Sequence, residues 1–156
     1  MLPLVLKSEV RNSILARNKI MNLQSCLEVM AETDPVDCPL VHHFAPGLYA
    51  REILLPKDSL VVGKIHKHSH VNNISKGSVI VYTEFGMEEY HAPCQFISKP
   101  GTKRAVYALE DTVWTTYHPT NETDLEIIEE QVIAKSFDDY NQFAIEQDQK
   151  ELEVKL

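Results

Sequence analysis

The sequence has few cysteines, and none of them lies in a paired motif. Cys26, Cys38 and Cys94 are odd in number, far apart and form no CxxC pair. This arrangement argues against a disulfide framework and against a zinc knuckle. We therefore expect three reduced thiols and a cytoplasmic protein.

Long apolar runs are also missing. The opening "MLPLVL" is apolar, but Lys7, Glu9 and Arg11 end it well short of the hydrophobic stretch of a signal peptide. No later window approaches the length of a membrane span. The sequence thus predicts a soluble, intracellular protein without a membrane partner.

The body of the chain has no net charge. The formal net charge is -8, but residues 122–156 alone contain eleven acidic and three basic residues, and the residues before them contain twelve of each. A global basic field, which non-specific nucleic-acid binding requires, is absent. The charge balance therefore argues against a nucleic-acid partner, with a local basic patch as the remaining alternative.

Several sequence motifs of catalysis are absent as well. The chain contains no GxxxxGK[ST] phosphate loop, no GxSxG elbow, no HExxH and no GxGxxG. Nucleotide hydrolysis, serine hydrolase chemistry and dinucleotide-dependent redox chemistry therefore have no motif support.

What is present fits one folded domain with terminal additions. The chain has 156 residues, of which 44% are hydrophobic and 24% charged, close to the globular average. Its pattern divides into an N-terminal helical extension over residues 1–40, a β-barrel over 41–120, and a C-terminal amphipathic helix with an acidic tail over 121–156.

Helical spacing marks both ends of the chain. Apolar residues between positions 10 and 30 predict one or two short helices, which Pro35 and Pro39 end. Near the other end, Thr123 and Glu126 have the spacing of a capping box. One apolar stripe follows it (Leu125, Ile128 and Val132). A peripheral helix after that is predicted to face the body with Phe137, Tyr140 and Phe143 or Ala144.

The middle of the chain consists of short extended runs separated by turn residues. Runs rich in Val, Ile, Tyr and Thr, about ten residues apart, predict an antiparallel sandwich or small barrel. No long helix interrupts them, which disfavours a parallel βαβ sheet. The predicted strands are "LYAREILL", "LVVGKIHKHSH", "SVIVYTEF", "YHAPCQFIS", "RAVYALE" and "VWTTYH", with "VNNISKG" and "GMEE" among the turns.

Three histidines stand at every second position in one of these runs. In an extended strand, His66, His68 and His70 share one face with Lys64. Across the three histidines the strand spans roughly 13 Å, so a flat strand cannot bring three ring nitrogens to one metal ion. A bulge, or a histidine from another strand such as His118 or His91, would be needed.

The order of these features resembles the two-motif signature of the cupin superfamily. Gly63, the histidines, Gly77, a hydrophobic strand and the later "KPGTKR" follow one another as in that signature, over roughly residues 46–119, about half the chain. The resemblance implies a small antiparallel jelly-roll barrel and a homodimer. In finer detail the stretch is similar to uncharacterised cupin-like proteins of tailed bacteriophages, which implies a location in the host cytoplasm.

The departures from the cupin pattern concern the metal ligands. Residues 71–73 stand where the glutamate would follow an HxH pair. When the motif is aligned back from Gly77 instead, His66 takes the second histidine position, His70 the glutamate position and Lys64 the first histidine position. Arg104 stands in the place of the third histidine, and a guanidinium cannot coordinate a cation.

Two kinds of site therefore remain open, beside ordinary strand polarity. Three imidazoles could hold a divalent metal such as zinc, nickel, manganese or iron, and the candidate ligands are His66, His68, His70 and His118. A carboxylate, phosphate or nucleobase would suit a guanidinium with aromatic neighbours, and the candidates are Lys64, Tyr82, Arg104, Tyr107 and Trp114, although a sole tryptophan more often fills a core.

The function remains open in the same way. We expect binding of a metal ion or a small anionic ligand through the histidine strand. The alternatives are sequestration of a small nucleotide or sugar signal as a host-defence antagonist, a metal-dependent cupin enzyme of the dioxygenase or isomerase type, and a virion accessory protein. The sequence leaves undecided whether the protein is an enzyme.

Overall fold

Three helices and eleven short strands form the part of the chain that the computed structural model describes, residues 8–31 and 36–155. In chain order they are α1 (Ser8–Ala31), β1 (Leu40–Ala45), β2 (Leu48–Leu55), β3 (Leu60–Val62), β4 (Ile65–His66), β5 (His70–Lys76), β6 (Ser78–Thr83), β7 (Gly86–His91), β8 (Cys94–Ser98), β9 (Ala105–Ala108), β10 (Thr112–His118), α2 (Leu125–Val132), β11 (Ile133–Ala134) and α3 (Phe137–Val154). No described helix is both long and apolar enough to cross a membrane.

The strands form two antiparallel sheets that face each other. One sheet has the order β1-β2-β10-β5-β8 and the other has the order β3-β9-β6-β7, while β4 and β11 form a separate two-stranded sheet. Neighbours in each sheet are mostly distant in sequence, as in a jelly roll. The prediction of a mainly β, antiparallel jelly roll with helices at both ends is confirmed.

Side-chain alternation divides the barrel interior into an apolar end and a polar end. Along β2 and β10, Leu55 and Trp114 point inward into the core, and the same faces continue to Tyr49, Arg51 and His118. The core cluster consists of Leu55, Ile74, Val79, Val81, Val106, Ala108 and Trp114. The apolar end supplies the hydrophobic stabilisation, so the polar end is free to carry other chemistry.

Helix α1 is one continuous helix rather than two short ones. It contacts β3 and β6 on the four-stranded sheet and buries Ala16 and Ile20. Arg17 fixes its position by an ion pair of 3.0 Å with Glu84. Pro35 lies outside the described residues.

The C-terminal helices pack on the barrel. Helix α2 is capped by Asp124, whose Oδ1 accepts a 2.9 Å hydrogen bond from the amide of Glu126, so the cap lies one residue beyond the predicted Thr123. On α3, Phe137 packs under the guanidinium of Arg17, and Phe143 contacts His68.

The predicted single strand over residues 60–70 is wrong. The chain forms β3 and the two-residue β4, bends at residues 67–69, and then starts β5 at His70. The predicted turn "VNNISKG" is therefore a central strand. Asn72 is tolerated there because its buried amide group is hydrogen-bonded to neighbouring groups of the barrel.

Candidate functional site

Three strands bring His66, His70 and His118 into contact at the polar end of the barrel. His66 comes from β4, His70 from the start of β5 and His118 from the end of β10. The ring centroids of His66 and His70 are 4.2 Å apart, those of His66 and His118 5.3 Å, and those of His70 and His118 5.0 Å. We call these three residues the histidine cluster.

The bend after β4 creates this cluster and removes His68 from it. With a bend between His66 and His70, the two rings approach each other instead of standing apart along a flat strand. His68 lies on the bend and meets the edge of Phe143 on α3 instead. His118 supplies the third imidazole from another strand.

The imidazoles of the cluster are uncharged at neutral pH. Burial lowers the pKa of His66 to about 2 and that of His118 to about 4, helped by neighbouring histidines and arginines. Burial also lowers the pKa of His70, and Arg104 contributes to this shift. Each ring therefore carries one N–H donor and one lone pair.

The hydrogen bonds assign the tautomer of His70 and leave two nitrogens unused. Nδ1 of His70 lies 3.4 Å from the carbonyl oxygen of His68, which can only accept, so Nδ1 carries the proton and Nε2 carries the lone pair. Both His70 Nε2 and His66 Nδ1 are buried without a hydrogen-bond partner among the described residues. Buried polar atoms of this kind call for an explanation, because most such atoms in proteins are satisfied.

A cavity of about 430 Å³ opens beside the cluster, and we call it the histidine cavity. His66, His118, Tyr49 and Arg51 line it from the barrel, and α2 covers it with Ile128. At its rim, Lys64 pairs with Glu129.

Two of these lining residues, Tyr49 and Arg51, are not among the residues predicted from the sequence. Tyr49 stacks on His118 at 6.1 Å and shares a 2.7 Å hydrogen bond with His42. Arg51 forms no ion pair within the described part of the chain. The alternation of "LYAREILL" could have identified both, because it places them on the same strand face as Leu55.

Arg104 lies on the other side of the cluster and is held by a buried chain of hydrogen bonds. Its guanidinium donates to Oγ of Ser98, which also accepts from the amide of Asn72 at 2.6 Å. The Oδ1 atom of Asn72 in turn accepts from Nε1 of Trp114 at 3.0 Å. Trp114 therefore lies in the core and orients polar groups rather than lining a cavity.

Comparison with solved structures agrees with this architecture. Ectoine synthase from P. lautus superposes with a TM-score of 0.51 at 10% identity, over 64% of this chain and 75% of that one. A cupin-2 domain protein from Shewanella frigidimarina gives 0.43 at 10% identity (54% and 80%), and a cupin 2 conserved barrel domain protein from Salinispora arenicola gives 0.44 at 9% (60% and 82%). No family model and no curated protein sequence matches the chain.

The fold is cupin-like. At these identities the likeness concerns the fold alone, so the chemistry has to be argued from the chain's own residues. Of the residues that the sequence resemblance aligned with cupin ligands, His66, His70 and Arg104 are close enough for Arg104 to lower the pKa of both histidines, whereas Lys64 pairs with Glu129 at the cavity rim.

Two predicted ligand residues, Tyr82 and Tyr107, lie away from the cluster. They flank Val81 and Val106, which are paired across β6 and β9 and fill the core, so the tyrosines point to the outer face of the sheet. Tyr107 donates there to Asp58 at 2.9 Å. His91 is exposed as well and pairs with Glu89.

The donor set does not fit the metal centre that cupins usually carry. Within residues 8–31 and 36–155, no group of three or more His, Cys, Asp or Glu side chains is arranged to hold a metal ion. No carboxylate belongs to the histidine cluster, and the guanidiniums of Arg51 and Arg104 lie close enough to lower the pKa of His66. Such positive charges oppose a divalent cation and favour an anion.

Proposed function

We propose that the protein binds a small anionic ligand in the histidine cavity and holds it without chemical conversion. The observation that carries this proposal is the lining of one cavity by neutral histidines and by a guanidinium, that of Arg51, which has no ion pair in the described chain. A half-buried guanidinium without a counter-ion offers forked donors to a carboxylate or a phosphate group.

The unused nitrogen of His66 supports a ligand that also carries polar groups. Nδ1 of His66, which lines the histidine cavity, is buried without a hydrogen-bond partner among the described residues, so a hydroxyl or an N–H group of the ligand could pair with it. A sugar phosphate or a nucleotide combines an anionic group with such donors. This chemistry favours sequestration of a small nucleotide or sugar signal, and the resemblance to phage-encoded cupin-like proteins is compatible with action in an infected host cell.

Metal binding is the second candidate. Its support is the contact among three imidazoles with two unpartnered nitrogens, since neutral imidazole is a common ligand of zinc, nickel and iron. Binding would require the rings to rotate, because the described arrangement does not form a metal site. The prediction of a metal-dependent enzyme stays a prediction, and it requires this rotation of the imidazole rings.

The deciding experiment is analysis of what the purified protein retains. Untagged protein, prepared without chelator, is denatured, and the released small molecules are measured by mass spectrometry and the metals by elemental analysis. We expect an unaltered organic anion at close to one per chain. Arg51→Gln should release none, whereas Lys76→Gln, at an exposed lysine on the far end of β5, should retain it.

A second arm covers the case in which the ligand is lost on purification. Nucleoside monophosphates and sugar phosphates are titrated against the protein and its Arg51→Gln variant, and thermal unfolding is followed. Saturation at one hundred times the dissociation constant should add about 2.7 kcal/mol to the stability of the parent protein. Stoichiometric metal that disappears in His66→Ala, with no organic anion in either arm, would replace this proposal with the metal site.

A further inference from the structure

A second cavity lies on the opposite side of Arg104, between the β6–β7 hairpin and β8. Its volume is about 190 Å³, and we call it the arginine cavity. Its polar lining consists of Thr83, Glu88, Tyr90, Ser98, Lys99, Thr102 and Arg104. The arginine cavity and the histidine cavity share no lining residue.

Thr102 provides the first sign that the arginine cavity is a binding site. Its side chain is 4% exposed, and its Oγ1 atom is buried without a hydrogen-bond partner among the described residues. A buried hydroxyl without a partner destabilises a fold, so most are satisfied. Here Thr102 is one of the residues that line the arginine cavity, where a bound group could accept the hydroxyl proton.

Ser98 and Arg104 supply further donors to the same space. Oγ of Ser98 accepts one hydrogen bond from the side-chain NH₂ group of Asn72 and one from the guanidinium of Arg104. Both of these nitrogens can only donate, so the hydroxyl proton of Ser98 is not used in either bond. Arg104 forms no ion pair with any described residue. The partly buried hydrogen bond with Ser98 holds the guanidinium at the cavity wall, so that its remaining N–H groups are preorganised.

The rim of the arginine cavity combines aromatic surface with one negative charge. Nζ of Lys99 lies 4.8 Å from the ring centroid of Phe85, which is 65% exposed. Tyr90 donates to Glu88, and burial together with this bond raises the pKa of Tyr90 to about 12, so the phenol remains a donor. The hydrogen bond from Tyr90 partly satisfies the carboxylate of Glu88, and Lys99 offsets its charge at the rim.

We propose that the arginine cavity is a second binding site, which takes the phosphate or carboxylate group of a small aromatic ligand. Arg104, Ser98 and Thr102 donate to the oxyanion, and Phe85 and Phe96 contact the ring of the ligand. The inference goes beyond ligand binding in the histidine cavity, because it assigns different residues and a different space.

The test uses phenyl phosphate as the probe and isothermal titration calorimetry as the measurement. The probes are titrated into the parent protein and into Arg51→Gln protein, in which the histidine cavity does not contribute, and the further substitutions are made in the Arg51→Gln background. Inorganic phosphate and benzoate are titrated in parallel. Phenyl phosphate binding tighter than benzoate would identify a phosphate group, and the reverse order a carboxylate.

Thr102→Val is the informative substitution because valine has nearly the shape of threonine. We expect affinity for the preferred probe to fall about tenfold, the value of one lost hydrogen bond. Without ligand, the midpoint of thermal unfolding should be unchanged or higher, since a buried unsatisfied hydroxyl has been removed. Arg104→Gln should reduce affinity further, because it removes a charged donor.

Three outcomes would overturn the proposal. The first is an absence of probe binding in Arg51→Gln protein when the parent protein binds it, which would place all binding in the histidine cavity. The second is an affinity that neither Thr102→Val nor Arg104→Gln changes. The third is an absence of probe binding in every variant. Only the first outcome supports the proposed function of the histidine cavity, so failure of one site is distinguishable from failure of the other.

Discussion

At the scale of single residues, the histidine cluster makes stability depend on pH. The pKa values of His66 and His118 in the folded protein lie far below the ordinary 6.5. The unfolded chain therefore binds protons that the folded chain does not bind. This contribution to stability is fully present above pH 6.5 and is lost as the pH falls toward the folded pKa values.

We expect the free energy of unfolding to decrease between about pH 6 and pH 5 by about 1.4 kcal/mol per pH unit for each such histidine. Urea denaturation at several pH values measures the slope. His118→Gln should flatten the profile, whereas the exposed His91→Gln should leave it unchanged. An equal slope in His118→Gln and in the parent protein would contradict a buried neutral imidazole.

The hydrogen bond between Trp114 and Asn72 leads to a second prediction at the scale of single residues. Trp114→Phe would leave Oδ1 of the fully buried Asn72 without its donor. We expect a loss of about 1–3 kcal/mol from the unpaired oxygen, in addition to the smaller ring. Tyr107→Phe removes an exposed hydrogen bond to Asp58 and should change stability by no more than about 0.5 kcal/mol. Equal effects of the two substitutions in urea denaturation would refute this account.

At the scale of elements, alternation and turn residues were sufficient for most of the barrel. The run "LYAREILL" coincides with β2, and "SVIVYTEF" contains β6, because both combine aromatic, aliphatic or β-branched residues with a buried face. The predictions failed where tertiary contacts decide. "VNNISKG" is rich in turn formers, yet Asn72 and Ile74 are buried in β5 between two partner strands. "GMEE" begins β7, whose pairing with β6 overrides its weak strand propensity.

The same limit explains which parts of the site could be predicted. His66, His70 and His118 could be named as candidate site residues, because histidines at alternate positions and at the end of a strand are recognisable in a sequence. Their contact depends on the bend at residues 67–69, which no local pattern specified. Ser98 and Thr102 are ordinary hydroxyl residues, and only the cavity beside them distinguishes them.

Gly101 determines how closely α3 approaches the barrel. Its φ of +73° lies in the left-handed region, and a Cβ atom at this position would overlap the ring of Tyr140. Gly101→Ala should therefore combine backbone strain of about 1–2 kcal/mol with displacement of α3. Gly47→Ala is the matched control, because Gly47 has a φ of +77° and an added Cβ there meets only an ordinary contact.

Thermal unfolding of both variants separates the two causes. If Gly101→Ala destabilises the protein by clearly more than Gly47→Ala, the excess is the contact with Tyr140. Replacement of Tyr140 by alanine in the Gly101→Ala background should then remove this excess. Equal destabilisation by the two glycine substitutions would show that α3 does not depend on this contact.

At the scale of the whole molecule, we expect the homodimer that the cupin resemblance implies to form through the outer face of the five-stranded sheet. Strand β8 is an edge of that sheet. On its outer face Ile97 is 71% exposed and pairs with Val71, which is 42% exposed. An open edge with apolar side chains tends to associate unless it is covered.

We expect light scattering after gel filtration to give twice the chain mass of 17.8 kDa. Ile97→Lys places a charge on the edge strand, and since interface cores exclude charged residues it should shift the mass to that of one chain. Ile145→Lys, which changes an apolar residue 52% exposed on α3, should leave the dimer intact. A monomer for the parent protein would refute the dimer, and a dimer in Ile97→Lys would place the interface elsewhere on the surface.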